Sequence, residues 1–80
     1  MSSVLSMDNA GESHHGAEIT VHATRLFDDW TAEFTISVGA REIVSQELEM
    51  IFDSDKEANA EGLAAGRRWI DGRLQEFGVL

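Results

Sequence analysis

Alternation of apolar and polar residues is the strongest structural signal in this chain. It extends over residues 17–24 and again over residues 30–38. A period of two is typical of strands that bury one face, so both segments are predicted to be strands with one apolar side. The predicted inward set is Ala17, Ile19, Val21, Ala23, Trp30, Ala32, Phe34, Ile36 and Val38.

The links between periodic segments are short and polar. Asp28–Asp29 separates the two strands and predicts an antiparallel hairpin. Gly39–Ala40–Arg41 predicts the next turn. Residues 42–52 fit a strand or a helix, since Val44 and Leu48 satisfy both spacings. We favour a third strand, because an isolated two-stranded hairpin is only marginally stable.

A helix is predicted after the strands, from a capping box to about Glu76. The Ser54 hydroxyl can accept the Glu57 N–H, while the Glu57 carboxylate can reach back to the Ser54 N–H. Gly78 is a plausible C-terminal stop. Small residues on the apolar side favour a close approach to the sheet. The apolar face is Ala58, Asn59, Gly62, Leu63, Ala65, Gly66, Trp69, Ile70, Leu74 and Phe77.

The fold class that follows is α+β, a three-stranded antiparallel β-meander packed against one C-terminal α-helix. Residues 1–16 are rich in Ser, Gly, Asn and His and are predicted to be a flexible tail. Residues 17–80 then form a single β-β-β-α domain. The polar side of its sheet is rich in threonine and glutamate, and Ile43 and Ile51 on that side hint at contact with another subunit.

Composition narrows the class of protein. With 80 residues the core is small, and self-association would add burial. No cysteine, long apolar run or basic leader segment is present, which predicts a cytoplasmic protein without disulfides or a membrane span.

Charge is distributed unevenly, because the chain carries −9 overall while Arg67, Arg68 and Arg73 gather near its end. Asp71 lies at helical spacing from Arg67 and Arg68, so intrahelical pairs are predicted. These arginines are also the candidate partner contacts. The overall acidity argues against nucleic acid, whose phosphates usually require a basic surface.

Candidate chemistry is sparse. His14–His15 lies in the predicted tail and His22 in the first strand, so we expect no metal site. No cofactor motif, catalytic cysteine or Gly-rich phosphate loop occurs, and we expect a protein that is not an enzyme, without catalytic residues or cofactors. Trp30 and Trp69 lie on the apolar faces and are expected in the core.

The helix segment AAGRRWID, residues 64–71, together with the preceding hairpin, resembles small uncharacterised proteobacterial proteins of β-β-β-α form. This resemblance implies a fold and no activity. The element order is also similar to double-stranded-RNA-binding domains and to HicB-type antitoxins. Neither function carries over, because the helix begins Ser54–Asp55–Lys56–Glu57 instead of with a lysine cluster, and the chain has no proline.

Two functional hypotheses remain. The first is a small acidic, non-catalytic interaction module that binds a protein partner or itself. The alternative is a nucleic-acid-associated protein that uses Arg67, Arg68 and Arg73.

Overall fold

The computed structural model describes the backbone of residues 5–73 and the side chains from residue 9 onward. Four strands precede one helix in this part of the chain. They are β1 (Leu5–His14), β2 (Ala17–Leu26), β3 (Asp29–Val38), β4 (Arg41–Glu47) and α1 (Asp55–Asp71).

The strands form one antiparallel sheet in the order β1-β2-β3-β4, joined by two-residue loops. In the first loop His15 and Gly16 have φ of 53° and 82°. Positive φ at both residues is typical of a type I′ turn, whose backbone twist matches that of the flanking strands. The third loop places Gly39 at φ 64°. The second is Phe27–Asp28, one position earlier than the predicted Asp28–Asp29 turn, and its Phe27 has φ 61°.

The prediction of three strands is wrong, because the segment predicted as a flexible tail contains β1. Its residues pair with β2 from Leu5↔Leu26 to His14↔Ala17. The apolar alternation that identifies β2 is missing here because Glu12 and His14, on the helix side of the sheet, contact polar residues of α1. A hydrophobicity pattern does not detect such a strand.

β4 confirms the favoured strand for the first part of residues 42–52. A bulge between Ile36 and Ser37 in the β3–β4 register leaves Ile43 without a direct cross-strand partner. The Leu48 N–H still donates to the Ala32 carbonyl, after which the chain leaves the sheet and returns at Phe52, whose N–H and C=O both bond to Trp30.

The core lies between one face of the sheet and α1. Both predicted alternations are confirmed in their central residues, although Val38 is exposed and Trp30 and Trp69 are half-buried at the edge of the core. The buried apolar residues are Ala17, Ile19, Val21, Ala23, Ala32, Phe34, Ile36, Phe52, Ala58 and Ile70.

Two glycines set how closely α1 approaches the sheet. A Cβ at Gly62 would lie 2.5 Å from a Val21 methyl, and one at Gly66 would lie 2.6 Å from an Ile19 methyl. Contacts that short do not occur in proteins, so the helix backbone rests directly on β2 only because these side chains are absent. The predicted close approach is confirmed.

The start of the helix follows half of the predicted capping box. Ser54 Oγ accepts the Glu57 N–H at 3.1 Å, whereas the Glu57 carboxylate accepts the N–H of Asp53 and not that of Ser54. The helix ends at Asp71 instead of near Glu76, with Gly72 at its C-cap. The predicted positions Leu74, Phe77 and Gly78 lie outside the described residues.

Candidate functional site

The face of the sheet opposite α1, here called the open face, is covered by no other element in the described part of the chain. Its members follow from the pairing register, in which each residue shares a side with its cross-strand partner. Nearly every member is polar, and none is lysine or arginine. The open face consists of Asn9, Gly11, Ser13, Glu18, Thr20, His22, Thr24, Leu26, Asp29, Thr31, Glu33, Thr35, Ser37, Glu42, Ser45 and Glu47.

Hydrogen bonds connect side chains across the strands of the open face. Thr35 Oγ1 and Ser45 Oγ are 3.2 Å apart, and Ser45 Oγ donates to Glu33 Oε2 at 3.0 Å. On the β1 side, His22 Nδ1 is 2.8 Å from Asn9 Oδ1. These contacts hold hydroxyl, carboxylate and imidazole groups in fixed positions on a surface exposed to solvent.

Four glutamates make the open face acidic, and two of them oppose each other. Glu33 and Glu47 are direct cross-strand partners on β3 and β4. Like charges in this position destabilise a sheet by a few tenths of a kcal/mol to about 1 kcal/mol. Glu18 and Glu42 both pair with Ser37, Glu18 from β2 and Glu42 from β4.

One end of the open face is apolar. By register Leu26 lies at the end of β2, and Ile51, the residue before Phe52, lies at the same end of the sheet beyond β4. Phe27 occupies the hairpin tip beside them and is 83% exposed, with Ile51 at 66%. A positive φ is an outlier for a bulky residue, so Phe27 projects into solvent from a strained position.

The three arginines singled out by sequence do not act together. Arg67 Nη1 donates to Glu12 Oε2 at 2.7 Å, which attaches α1 to β1. The Arg73 guanidinium stacks on the Trp69 ring at 4.4 Å. Arg68 is exposed in the last turn of the helix. In place of the predicted pairs with Arg67 and Arg68, Asp71 contacts β1 and its hairpin loop.

Asp71 instead joins the two adjacent histidines in what we call the histidine–aspartate cluster: His14, His15 and Asp71. The Nε2 of His14 donates to Asp71 Oδ1 at 2.7 Å, and the Nε2 of His15 lies 3.6 Å from the same oxygen. The two imidazole rings meet edge to face, 4.5 Å between centroids. His22, the third histidine, bonds to Asn9 on the opposite side of the sheet.

Sequence reasoning missed this cluster because it treated His14–His15 as part of a tail without geometry. The dipeptide His15–Gly16 was the available signal. Histidine tolerates positive φ better than most residues, and X-Gly is the common pattern of a two-residue hairpin loop. Since β2 begins directly after it, a hairpin would have required a strand before it.

Comparison with protein families matches the chain to a domain of unknown function (DUF6566) over residues 7–78. The chain belongs to the DUF6566 family. This membership agrees with the resemblance to small uncharacterised proteins and assigns no activity to the DUF6566 domain. Comparisons with curated proteins and with solved structures give no match. Among the described residues of this DUF6566 chain, the helix is too short and polar to cross a membrane.

Proposed function

We propose that this DUF6566 chain is a non-catalytic interaction module whose open face binds a positively charged surface of another protein. The observation that carries the proposal is the open face itself. It combines four glutamates with ordered hydroxyl groups and no lysine or arginine among its described side chains. Complementary charge steers association and selects the partner.

The opposed pair Glu33 and Glu47 supports a binding role for these charges. A surface optimised for folding alone would place opposite charges at directly paired positions, since like charges there are destabilising. A partner with lysine or arginine at this position would relieve the repulsion. The repulsion that lowers the stability of the free chain would then add to the affinity of the complex.

The apolar end supplies the second component of a binding surface. Phe27 contributes little to the core, since 83% of it is exposed, and it occupies a backbone conformation that glycine adopts with less strain. Exposed aromatic residues beside a polar area are typical anchors of protein interfaces. Leu26 and Ile51 extend this anchor at the same end of the sheet.

Charge also favours a different protein over a second copy of this chain. Placing two open faces against each other would bring two sets of the same glutamates together without bases between them. Nucleic acid is disfavoured for the same reason, because phosphates are repelled by this face. Of the three candidate arginines, Arg67 and Arg73 already contact Glu12 and Trp69.

The test compares three forms of the full chain as bait in its own cell lysate, with and without nuclease. The first is the wild type and the second carries Glu18→Gln, Glu33→Gln and Glu47→Gln on the open face. The third is the matched control with Glu49→Gln, Glu57→Gln and Glu61→Gln, which removes the same charge from exposed positions elsewhere. Glutamine keeps the acceptor oxygen at Glu33 and the capping geometry at Glu57.

We expect one set of proteins captured by the wild type and the control, resistant to nuclease, and lost with the open-face variant. Equal capture by all three forms would refute the role of the open face. Capture that disappears on nuclease treatment would support the nucleic-acid alternative instead. Sedimentation velocity of the bait alone decides whether a second copy is the partner.

A further inference from the structure

The histidine–aspartate cluster has the composition and arrangement of a metal site. Two imidazole nitrogens and one carboxylate oxygen, from His14, His15 and Asp71, all lie within 4.8 Å of one another. We propose that this cluster binds a divalent transition-metal ion of the zinc type, which fastens the β1–β2 hairpin to the C-terminal end of α1.

The distances suit such an ion after small side-chain rotations. Zinc lies about 2.0–2.1 Å from imidazole nitrogen and carboxylate oxygen, so neighbouring ligands around a tetrahedral ion are roughly 3.4 Å apart. The contacts of Asp71 Oδ1 with the two imidazoles, 2.7 Å and 3.6 Å, lie on either side of that separation. The ion takes the place of the proton between His14 and Asp71, which is released to solvent.

The backbone holds the three ligands from two independent elements. His14 ends β1 and pairs with Ala17, while His15 is fixed by the first position of the type I′ turn at φ 53°. Asp71 is the last residue of α1. The hairpin and the helix are already joined beside the cluster by the ion pair between Glu12 and Arg67.

The end of the helix contributes negative charge to the cluster. The C-terminal end of a helix carries a partial negative charge from its unpaired carbonyl groups, and Asp71 adds a full one. Three arginines lie near Asp71: Arg67 is paired with Glu12, Arg73 stacks on the Trp69 ring, and Arg68 is exposed to solvent. The exposed fractions of His14 and His15, 22% and 45%, leave room for water to complete the coordination.

The ligand types select the class of metal. Imidazole is a preferred ligand of zinc, copper and nickel, whereas calcium and magnesium require oxygen ligands. Three protein ligands with one position left to water is also the pattern of an accessible zinc site, in contrast to the four ligands of a closed structural site.

The experiment titrates the full chain, purified without a histidine tag, with zinc chloride by isothermal calorimetry and by thermal unfolding. His15→Asn is the decisive variant. Asparagine suits the positive φ of this turn position, as in an Asn-Gly hairpin loop, and it leaves the hydrogen bond from His14 to Asp71 intact. Asp71→Asn removes the carboxylate. The matched control is His22→Thr, which removes the third imidazole from β2 outside the cluster.

We expect one saturable zinc ion per chain and a rise in the unfolding temperature on binding. Partners beyond the ligands contribute 10- to 100-fold to metal affinity, so loss of a direct ligand should weaken binding at least about tenfold. His15→Asn and Asp71→Asn should both show this loss, and His22→Thr should bind as the wild type does.

Three results would overturn the proposal. They are the absence of saturable zinc binding, wild-type affinity in His15→Asn, and an equal loss in His22→Thr. Because His15 is exposed and its replacement suits the turn, a weakened response cannot be attributed to unfolding when the metal-free unfolding temperature of His15→Asn equals that of the wild type.

Discussion

The two faces of the sheet differ in what covers them and in the chemistry they present. On the covered face the central residues of β2 and β3 are apolar and at most 2% exposed, and α1 lies against them. On the open face the same strands present threonine, glutamate and histidine, with hydrogen bonds running from strand to strand. Each strand therefore contributes alternate residues to a core and to a surface.

This difference between the two faces indicates which of them is constrained by folding. The covered face fits the helix so closely that two glycines are required at the contact. The open face contains directly opposed glutamates, an arrangement that folding does not need. We infer that the covered face is shaped by stability and the open face by an interaction.

The largest expected effect is a difference in stability loss between substitutions at adjacent residues of β3 that face opposite sides of the sheet. Phe34→Ala should reduce the free energy of unfolding by about 3–5 kcal/mol, because it removes a large side chain that is 2% exposed. Thr35→Ala on the open face should cost less than about 1 kcal/mol. Urea denaturation measures both. Comparable losses would contradict the assignment of the faces, and Phe34→Leu provides a graded change if Phe34→Ala does not fold.

The next effect concerns the contact between α1 and β2. Gly62→Ala and Gly66→Ala each gain about 1 kcal/mol in helix propensity and lose about 1–3 kcal/mol through overpacking. Overpacking should win, with a net loss of up to about 2 kcal/mol, because the obstructing methyls of Val21 and Ile19 are branched next to the backbone. Gly72→Ala is the control, since its Cβ would meet only ordinary contacts. Stabilisation in all three variants would show that the helix does not rest on β2 in this way.

A smaller effect tests the attachment of β1, the strand without an apolar pattern. A double-mutant cycle with Glu12→Gln and Arg67→Gln should give a coupling energy of about 0.5–1 kcal/mol, because the pair is partly exposed. The coupling should decrease at high salt. A coupling of zero would mean that this ion pair does not contribute to the attachment of β1 to α1.

The smallest effect has the opposite sign. Glu47→Gln should raise the free energy of unfolding by a few tenths of a kcal/mol, because it relieves repulsion with Glu33. The matched change Glu49→Gln, outside the strand, should leave it nearly unchanged. Destabilisation by Glu47→Gln would remove the argument that this pair opposes folding.

The parts of the fold that can be predicted from the sequence are those in which apolar and polar residues alternate regularly. β2, β3 and the apolar side of α1 were identified because their buried positions are apolar at strand or helix spacing. The N-terminal boundary of the helix followed from Ser54 and its bond to Glu57, which is a local interaction.

The parts that sequence misses depend on contacts between distant residues. The helix side of β1 is recognisable only from its contacts with Arg67 and Asp71, because Glu12 and His14 on that side are polar. These partners lie more than 50 positions away in the chain. The same contacts create the histidine–aspartate cluster and separate the arginines that looked like one basic patch. Register, not composition, placed Glu33 opposite Glu47.

The measurement that tests the central claim most directly is methyl NMR of the full chain titrated with a basic peptide of alternating lysine and valine. All four threonines of the chain, Thr20, Thr24, Thr31 and Thr35, lie on the open face, so their methyl signals report on that face alone. The methyl of Ala60, exposed on α1, reports on the opposite side of the molecule.

The account predicts saturable shifts of the threonine methyls while Ala60 stays in place. It also predicts loss of these shifts in the open-face variant, with Glu18, Glu33 and Glu47 changed to Gln, and their retention in the control with Glu49, Glu57 and Glu61 changed to Gln. Shifts centred on Ala60, or threonine shifts that are equal in the two variants, would contradict it.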